Sequence, residues 1–368
     1  MNSEKSRSAQ GAFGLERQFV TSQDIYDLES RQIFGKNWIC IDHVSQLAGD
    51  CVKPISIDDN QLIIVGDELG KFRCFRNFCR HRGSMLVTGQ NCHDIGKRIQ
   101  CPYHAWTYNR DGALAAAPNM DGVEDFVAAD FGLIEVACEV FGGFVWVNLH
   151  PQQAITEFLA PLASQFTDYQ IPELFVAREL CYDVNANWKL IFQNYSECYH
   201  CPTVHPILNR LTPYKDSSNE VEAGPILGGP MRLAADCETM SMDGKRVAVP
   251  ILGANKEQQR SVNYYTVFPT IFLSTHPDYV LIHRLQRQAV NSTRVICQFL
   301  FHANGETRED LEPSRAIEFW DMTNRQDWRV CELAQEGMQD PAYIPGPYSD
   351  LESVVAAFDR HYQNALKI

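Results

Sequence analysis

No apolar run in this 368-residue chain approaches the roughly 20 residues a helix needs to cross a bilayer, which excludes a helical membrane protein. Basic residues are in deficit. Against 46 Asp and Glu stand 32 Lys and Arg, a formal net charge of −14. Such a surface lacks the basic face that nucleic-acid phosphates demand, while it can steer a cation. The opening stretch MNSEKSRSAQGAFG has no apolar core of the kind a signal peptide carries, so a cytoplasmic location is expected. Internal repeats and low-complexity segments are also missing. The 13 cysteines show no framework spacing, and disulfide scaffolds are usually far shorter chains. Cys40, Cys51, Cys74, Cys138, Cys181, Cys297 and Cys331 sit in mixed apolar segments and are expected to be small buried hydrophobes.

What the chain does have is Cys79-Arg80-His81 followed by Cys101-Pro102-Tyr103-His104, a C-x-H…C-x-x-H pair. Each half supplies one sulfur and one nitrogen donor. In a Rieske-type [2Fe-2S] cluster two imidazoles replace two thiolates on one iron, so two such loops can close like jaws around it. The competing reading is a Cys2His2 zinc site, but zinc fingers group their cysteines and their histidines, whereas this chain interleaves them. Cys92 and His93, in the polar loop GQNCHDIGK between the jaws, are rival donors with nothing in sequence to pin them.

Around the pair, residues 38–150 read as short β-type runs separated by Gly, Asp and Asn turn signals: CVKPISI, NQLIIVGD, FRCFRNF, IQCPYHAWTY, LIEVACEVF and GFVWVNL. Residues 22–36 read as a helix capped by Ser22, placing residues 1–37 as a helical segment on a later domain. Residues 151–368 start with a helical connector. CYDVNANWKLIFQNYSECYHC follows as a strand running into a helix, then a polar stretch of loops over 210–260. Next come SVNYYTVFPTIFLSTH, YVLIHRLQRQAV and RVICQFLFHAN as strands, and two terminal helices. The fold class is therefore α+β: a small all-β domain, then helices packed on an antiparallel sheet.

Within NANWKLIFQNYSECYHCPTVHP, His200 and His205 are five residues apart. Residues four apart share a helical face, and a spacing of five works if Pro202 and Pro206 end the helix between them. Two histidines and one carboxylate with open positions form the triad of oxygen-using non-haem iron(II). Asp321, Asp327, Glu318 and Glu332 are the candidate carboxylates. Asp321 and Asp327 fall on different faces of one helix, and periodicity does not choose between them.

With both constellations in view, the chain resembles the α (oxygenase) subunit of a Rieske non-haem iron oxygenase over nearly its whole length. The resemblance implies that Cys79, His81, Cys101 and His104 hold a [2Fe-2S] cluster and that His200, His205 and Asp327 hold a mononuclear Fe(II). One position departs: Glu197 stands three residues before the first iron histidine, where the family usually has Asp. By resemblance its carboxylate bridges His104 of a neighbouring subunit to His200, which implies a head-to-tail ring, a homotrimer. Glu in E-C-Y-H-C, with the NRQDW and PGPYS segments, is similar to the branch acting on quaternary ammonium compounds such as carnitine and glycine betaine. The implied cycle takes electrons from NAD(P)H through a flavin and iron–sulfur reductase to the cluster and on to the iron. There O2 is split between a hydroxylated C–H bond and water. Hydroxylation beside a quaternary nitrogen expels an aldehyde.

A trimethylammonium group offers no hydrogen-bond donor, so aromatic faces suit it. Tyr264, Tyr265, Phe268, Phe272 and Tyr279 lie on or near strands, where alternation turns only half of them inward. The rival enzyme reading is an aromatic ring-hydroxylating dioxygenase. From another class come a bare electron carrier and a structural zinc protein.

Overall fold

Both expected architectures are present in the computed structural model, which describes residues 11–47, 51–67, 70–89, 92–94, 96, 98–216, 218–302 and 312–367. The chain divides into two compact units, one of Phe34–Phe158 and the other of Met1–Ile33 with Leu159–Ile368.

Helices α1 (Gln18–Thr21) and α2 (Gln23–Glu29) cover the expected N-terminal helix, and the Ser22 hydroxyl accepts the Ile25 N–H as its cap. A π-turn at Ser30–Phe34 ends it.

In the unit spanning Phe34–Phe158, the strands are β1 (Ile39–His43), β2 (Cys51–Ile57), β3 (Asn60–Gly66), β4 (Phe72–Arg76), β5 (His93–Asp94), β6 (Arg98–Gln100), β7 (Thr107–Asn109), β8 (Leu114–Ala116), β9 (Glu135–Phe141) and β10 (Phe144–Asn148). Seven of them form one sheet in the order β1-β10-β9-β4-β3-β2-β5, and β6-β7-β8 form a second. Gly142 and Gly143 both have positive φ, which lets a two-residue hairpin join β9 to β10 in register Phe141↔Phe144. Val52, Ile63, Phe75, Trp106 and Tyr108 pack with Cys79 and Cys101 into one core. The run IQCPYHAWTY is not one strand. It breaks between β6 and β7, where Ala105 turns to φ 57°.

Cysteine use also departs from expectation. Cys51 is linked to Cys92 in a disulfide, so Cys51 is no simple hydrophobe and Cys92 is no rival metal ligand. His93 pairs with Val52 in β5. Cys198 and Cys201 form a second disulfide, and Cys181 is exposed rather than buried.

A helix α3 (Ile155–Phe158) closes that unit, and α4 (Ala163–Asp168) lies in the other. There β11 (Leu174–Val184), β12 (Ile226–Arg232), β13 (Ser261–Val267), β14 (Ile271–Thr275), β15 (Val280–Ala289) and β16 (Ser292–His302) form an antiparallel sheet in the order β11-β16-β15-β14-β13-β12. SVNYYTVFPTIFLSTH is a hairpin, not a single strand: Pro269 has no N–H for a ladder, and the chain turns there. The stretch 210–260 is not all loop, because β12 forms the sheet edge despite Gly228, Gly229 and Pro230. Gly228 is required, since a Cβ there would meet the Tyr264 carbonyl oxygen at 2.0 Å. Pro230 is tolerated because an edge strand needs only one side of its ladder.

Helices α5 (Trp188–Tyr195), α6 (Cys201–Val204), α7 (Pro206–Leu211), α8 (Ser314–Met338) and α9 (Ser353–Leu366) complete this unit, with α5 packed against both α8 and β15. Trp188 packs edge-on against Phe192, Phe268 and Phe358. Among the described residues no helix is long and apolar enough to cross a membrane.

Beneath α5, Glu29 is fully buried and collects four donors. The Tyr362 hydroxyl (2.7 Å) and the Lys189 ammonium reach Oε1, while the Trp188 indole N–H (2.9 Å) and the Arg287 guanidinium (2.9 Å) reach Oε2. Burial pulls the Lys189 pKa down to about 8, with Glu29 opposing the fall. Nearby, Asp359 accepts from the Tyr348 hydroxyl (2.6 Å) and the Gln193 amide (2.7 Å). Its burial pushes the carboxyl up to about 7 against those hydrogen bonds.

Glu29→Ala leaves two buried cations without their carboxylate and is expected to cost about 3–5 kcal/mol, read as a lowered denaturation midpoint. Asp359 binds its proton more tightly folded than in the unfolded chain, where carboxyls titrate near pH 3.9. Its contribution is therefore complete below about pH 4 and is lost as pH rises through about 7. Denaturation series from pH 5 to 8 should show wild type losing stability relative to Asp359→Asn, whose curve lacks that slope.

Candidate metal centres

The first centre is one turn built twice. Cys79 N–H donates to the Ser84 carbonyl (2.8 Å) and Gly83 N–H to the Cys79 carbonyl (2.9 Å). Cys101 N–H donates likewise to Trp106 (2.8 Å) and Ala105 N–H to Cys101 (3.2 Å). The fifth residue of each turn is left-handed, Gly83 at φ 72° and Ala105 at φ 57°. Glycine adopts that conformation freely; alanine does so under strain, which the surrounding ring of contacts must hold. Asn77 braces the first loop, its side chain bonded to the backbone of Leu86 and Val87.

These turns place Cys79 and Cys101 in the core and leave His81 and His104 exposed, their rings 4.8 Å apart. His81 stacks on Trp106 at 4.8 Å and 7°. Burial raises the Cys79 pKa, with the Tyr108 hydroxyl, 3.2 Å from its sulfur, opposing. With a thiolate at Cys79 that hydroxyl can only donate, and hydrogen bonds to cluster sulfurs tune the potential. Sulfur inside and nitrogen outside suit a [2Fe-2S] cluster with one iron toward each.

The second centre starts where α5 ends. Asn187 caps α5 by accepting the Lys189 N–H (3.1 Å), and the helix stops at Tyr195. His200 and His205 do not share a helix. Each sits at one end of the single-turn α6, with Pro202 opening that turn and Pro206 opening α7. Their Nε2 atoms lie 3.3 and 2.7 Å from Asp327 Oδ1, contributed by the middle of α8. Among the described residues these three form the only group of three or more His, Cys, Asp or Glu side chains placed to share one ion, all within 4.8 Å. The donor set fits a single iron(II) with open positions.

The other candidate acids lie elsewhere. Asp321 accepts from Tyr182 (2.8 Å), Glu332 from the Asn185 amide (3.1 Å), and Glu318 is exposed. Burial opposes charge on His200, but hydrogen bonds to Asp327 and Glu197 outweigh it and push its pKa up to about 10. Asp327 is lowered although burial opposes this, because both histidines hydrogen-bond it.

On their far sides the two imidazoles are held differently. His200 Nδ1 lies 2.6 Å from Glu197 Oε1, and Glu197 also accepts the N–H groups of Tyr199 and His200. His205 Nδ1 lies 2.7 Å from Gln326 Oε1. Gln326 was not among the sequence candidates; its only signal there is its place beside Asp327 in NRQDW. A metal-bound histidine needs such an acceptor to fix its tautomer. Gln326→Leu removes it and is expected to weaken Fe(II) binding roughly 10–100-fold in a metal titration, with Gln326→Glu restoring most of the loss.

Comparison with known proteins finds the same two domains. Residues 172–368 match the family described as the ring hydroxylating alpha subunit (catalytic domain), and residues 37–127 match the Rieske [2Fe-2S] domain. The glycine betaine monooxygenase oxygenase subunit of Chromohalobacter salexigens is 30% identical over 93% of this chain and 83% of its own. The carnitine monooxygenase oxygenase subunit of Acinetobacter pittii is 36% identical over 53% of each. A crystal structure of the quaternary ammonium Rieske monooxygenase CntA superposes with a TM-score of 0.81 at 23% identity, covering 98% of this chain and 96% of that one, and shows the shared fold. A Rieske domain ahead of a catalytic domain that binds mononuclear iron makes this chain a member of the ring-hydroxylating α-subunit family: the oxygenase component of a Rieske non-haem iron monooxygenase, supplied with electrons by a reductase.

Proposed function

We propose that this oxygenase hydroxylates a small quaternary ammonium compound of the betaine or carnitine type, next to its nitrogen. The observation that supports the substrate class is an aromatic cluster at the end of α5, whose last residue, Tyr195, stands two positions before Glu197. Tyr195 stacks on Phe272 at 4.2 Å and meets Tyr264 at 6.1 Å and His283 at 6.0 Å. Tyr264 and Phe272 come from the expected aromatic set, whereas Tyr265 faces Glu220 and Tyr279 is tied to the Met240 carbonyl. Burial holds the His283 imidazole down at about 4 against its bond to Asn324, so it is neutral at working pH. Aromatic faces with no positive charge among them attract a cation that offers no hydrogen bond.

In this reading Cys79, His81, Cys101 and His104 hold the cluster, and His200, His205 and Asp327 hold the iron. When bound, the cluster supplies electrons and the iron supplies O2 activation. Asp327 and the two imidazoles would hold the iron from α8 and from the two ends of α6, leaving O2 and substrate to meet it without a fourth protein ligand. Glu197 orients His200 through Nδ1 and links it to His104 of a neighbouring subunit. That link makes a head-to-tail homotrimer the working unit, in the cytoplasm with a flavin and iron–sulfur reductase that draws on NAD(P)H. The names of the relatives support the same substrate class.

For a trimethylammonium substrate the balance is R-N(CH3)3+ + O2 + NADH + H+ → R-NH(CH3)2+ + CH2O + NAD+ + H2O. Purified protein with its reductase should consume NADH and release formaldehyde from betaines; trimethylamine with an aldehyde would place cleavage at the longer C–N arm. Diol formation from arenes without aldehyde from any betaine would instead make the enzyme an aromatic-ring dioxygenase.

A further inference from the structure

Two cysteines with no part in the chemistry bracket the iron histidine. Cys198 and Cys201 are joined by a disulfide with their Cα atoms 4.9 Å apart, and between them lie Tyr199 and His200. The same short turn is held from within by Glu197, whose carboxylate binds the N–H groups of Tyr199 and His200 and the His200 ring. The sulfur bridge therefore clamps the residues that aim His200 at Asp327. The two residues are unequally exposed, Cys198 half-buried and Cys201 buried at 3% exposure. A C-x-x-C pair in one turn is the arrangement that redox-active dithiols use, and disulfides in a reducing compartment are seldom permanent.

We infer that Cys198 and Cys201 form a reversible dithiol–disulfide site that sets the rigidity of the Glu197–His200 turn and, through it, the hold on iron. The oxidant is a peroxide. The Cys198 thiolate attacks the O–O bond and becomes a sulfenic acid as water leaves; the Cys201 thiol then displaces the sulfenic oxygen as a second water. Two electrons and two protons pass from the thiols to the peroxide. A small thiol reductant reverses the step by exchange, becoming a disulfide itself and returning both thiols to the turn. With the bridge open, Cys198 and exposed Tyr199 can move away from Cys201, and the Glu197–His200 contact loosens. An O2-consuming enzyme would then hold its iron most tightly when oxidants are present.

The inference rests on the reading of His200 as an iron ligand and Glu197 as its bridge, and its test separates the two. The full chain, with cluster and iron, is poised anaerobically in mixtures of reduced and oxidised glutathione, and free thiols are trapped with iodoacetamide. Mass spectrometry of the 198–201 peptide then counts the alkyl groups, the Cys51–Cys92 peptides are read separately, and Fe(II) affinity is titrated on the same samples. The pair should convert fully and reversibly, and the dithiol form should bind Fe(II) about tenfold more weakly. Cys198→Ser should show the weaker affinity in every mixture, and wild type alkylated at both sulfurs gives the same comparison if that variant does not fold. A pair that never changes state, or changes with no shift in iron affinity, overturns the inference. If the affinity responds while Glu197→Gln still passes electrons from cluster to iron at the wild-type rate, the bridge reading fails and the redox site stands.

Discussion

The carboxylate of Glu29 is the constraint on which the catalytic unit depends. It gathers donors from α5, β15 and α9 onto a residue of α2, in a place where water cannot substitute for any of them. A buried carboxylate facing two cations is weak as a source of stability but strict about geometry, because removing one partner strands the others. Trp188 and Lys189, two of its donors, open α5. The far end of that helix delivers Tyr195 to the aromatic cluster and leads directly into Glu197 and His200. The register of the iron site is thus set about two helical turns away, by a charge cluster that never touches it.

The two metal centres solve opposite packing problems. At the candidate iron site α6 and α8 would supply the three donors from two directions, with histidines at both ends of a single turn. At the candidate cluster site two copies of one turn set the thiols inward and the imidazoles outward. At the iron site the ring nitrogen turned away from Asp327 is committed: Nδ1 of each histidine has a partner, one charged and one neutral.

The β-runs of the cluster domain were legible because short runs of β-branched and aromatic residues and the turn residues between them agree locally, and the ligand order of Cys79, His81, Cys101 and His104 is itself local. Legibility ended where partners are distant or where a residue plays two parts. Pro269 interrupts a run that is apolar on both sides, so one strand was read where there are two. Gly228-Gly229-Pro230 look like loop, and only the approach of the Tyr264 backbone explains a strand there. Cysteine spacing says nothing of pairing, so Cys51–Cys92 stayed hidden. Glu29 and Tyr362 are separated by 333 positions, and no pattern within a window could join them. Helical periodicity left Asp321 and Asp327 open; the resemblance favoured Asp327, and the Tyr182 hydroxyl occupies Asp321.

The cluster site has one further property. Trp106, Tyr108 and Leu133 wall off its sulfur side within the core, and the imidazole edge of His81 and His104 is the side at the surface. A cluster held by these four residues would be open to the surface at that edge alone, so the same exposed imidazoles would serve both the entry and the exit of an electron.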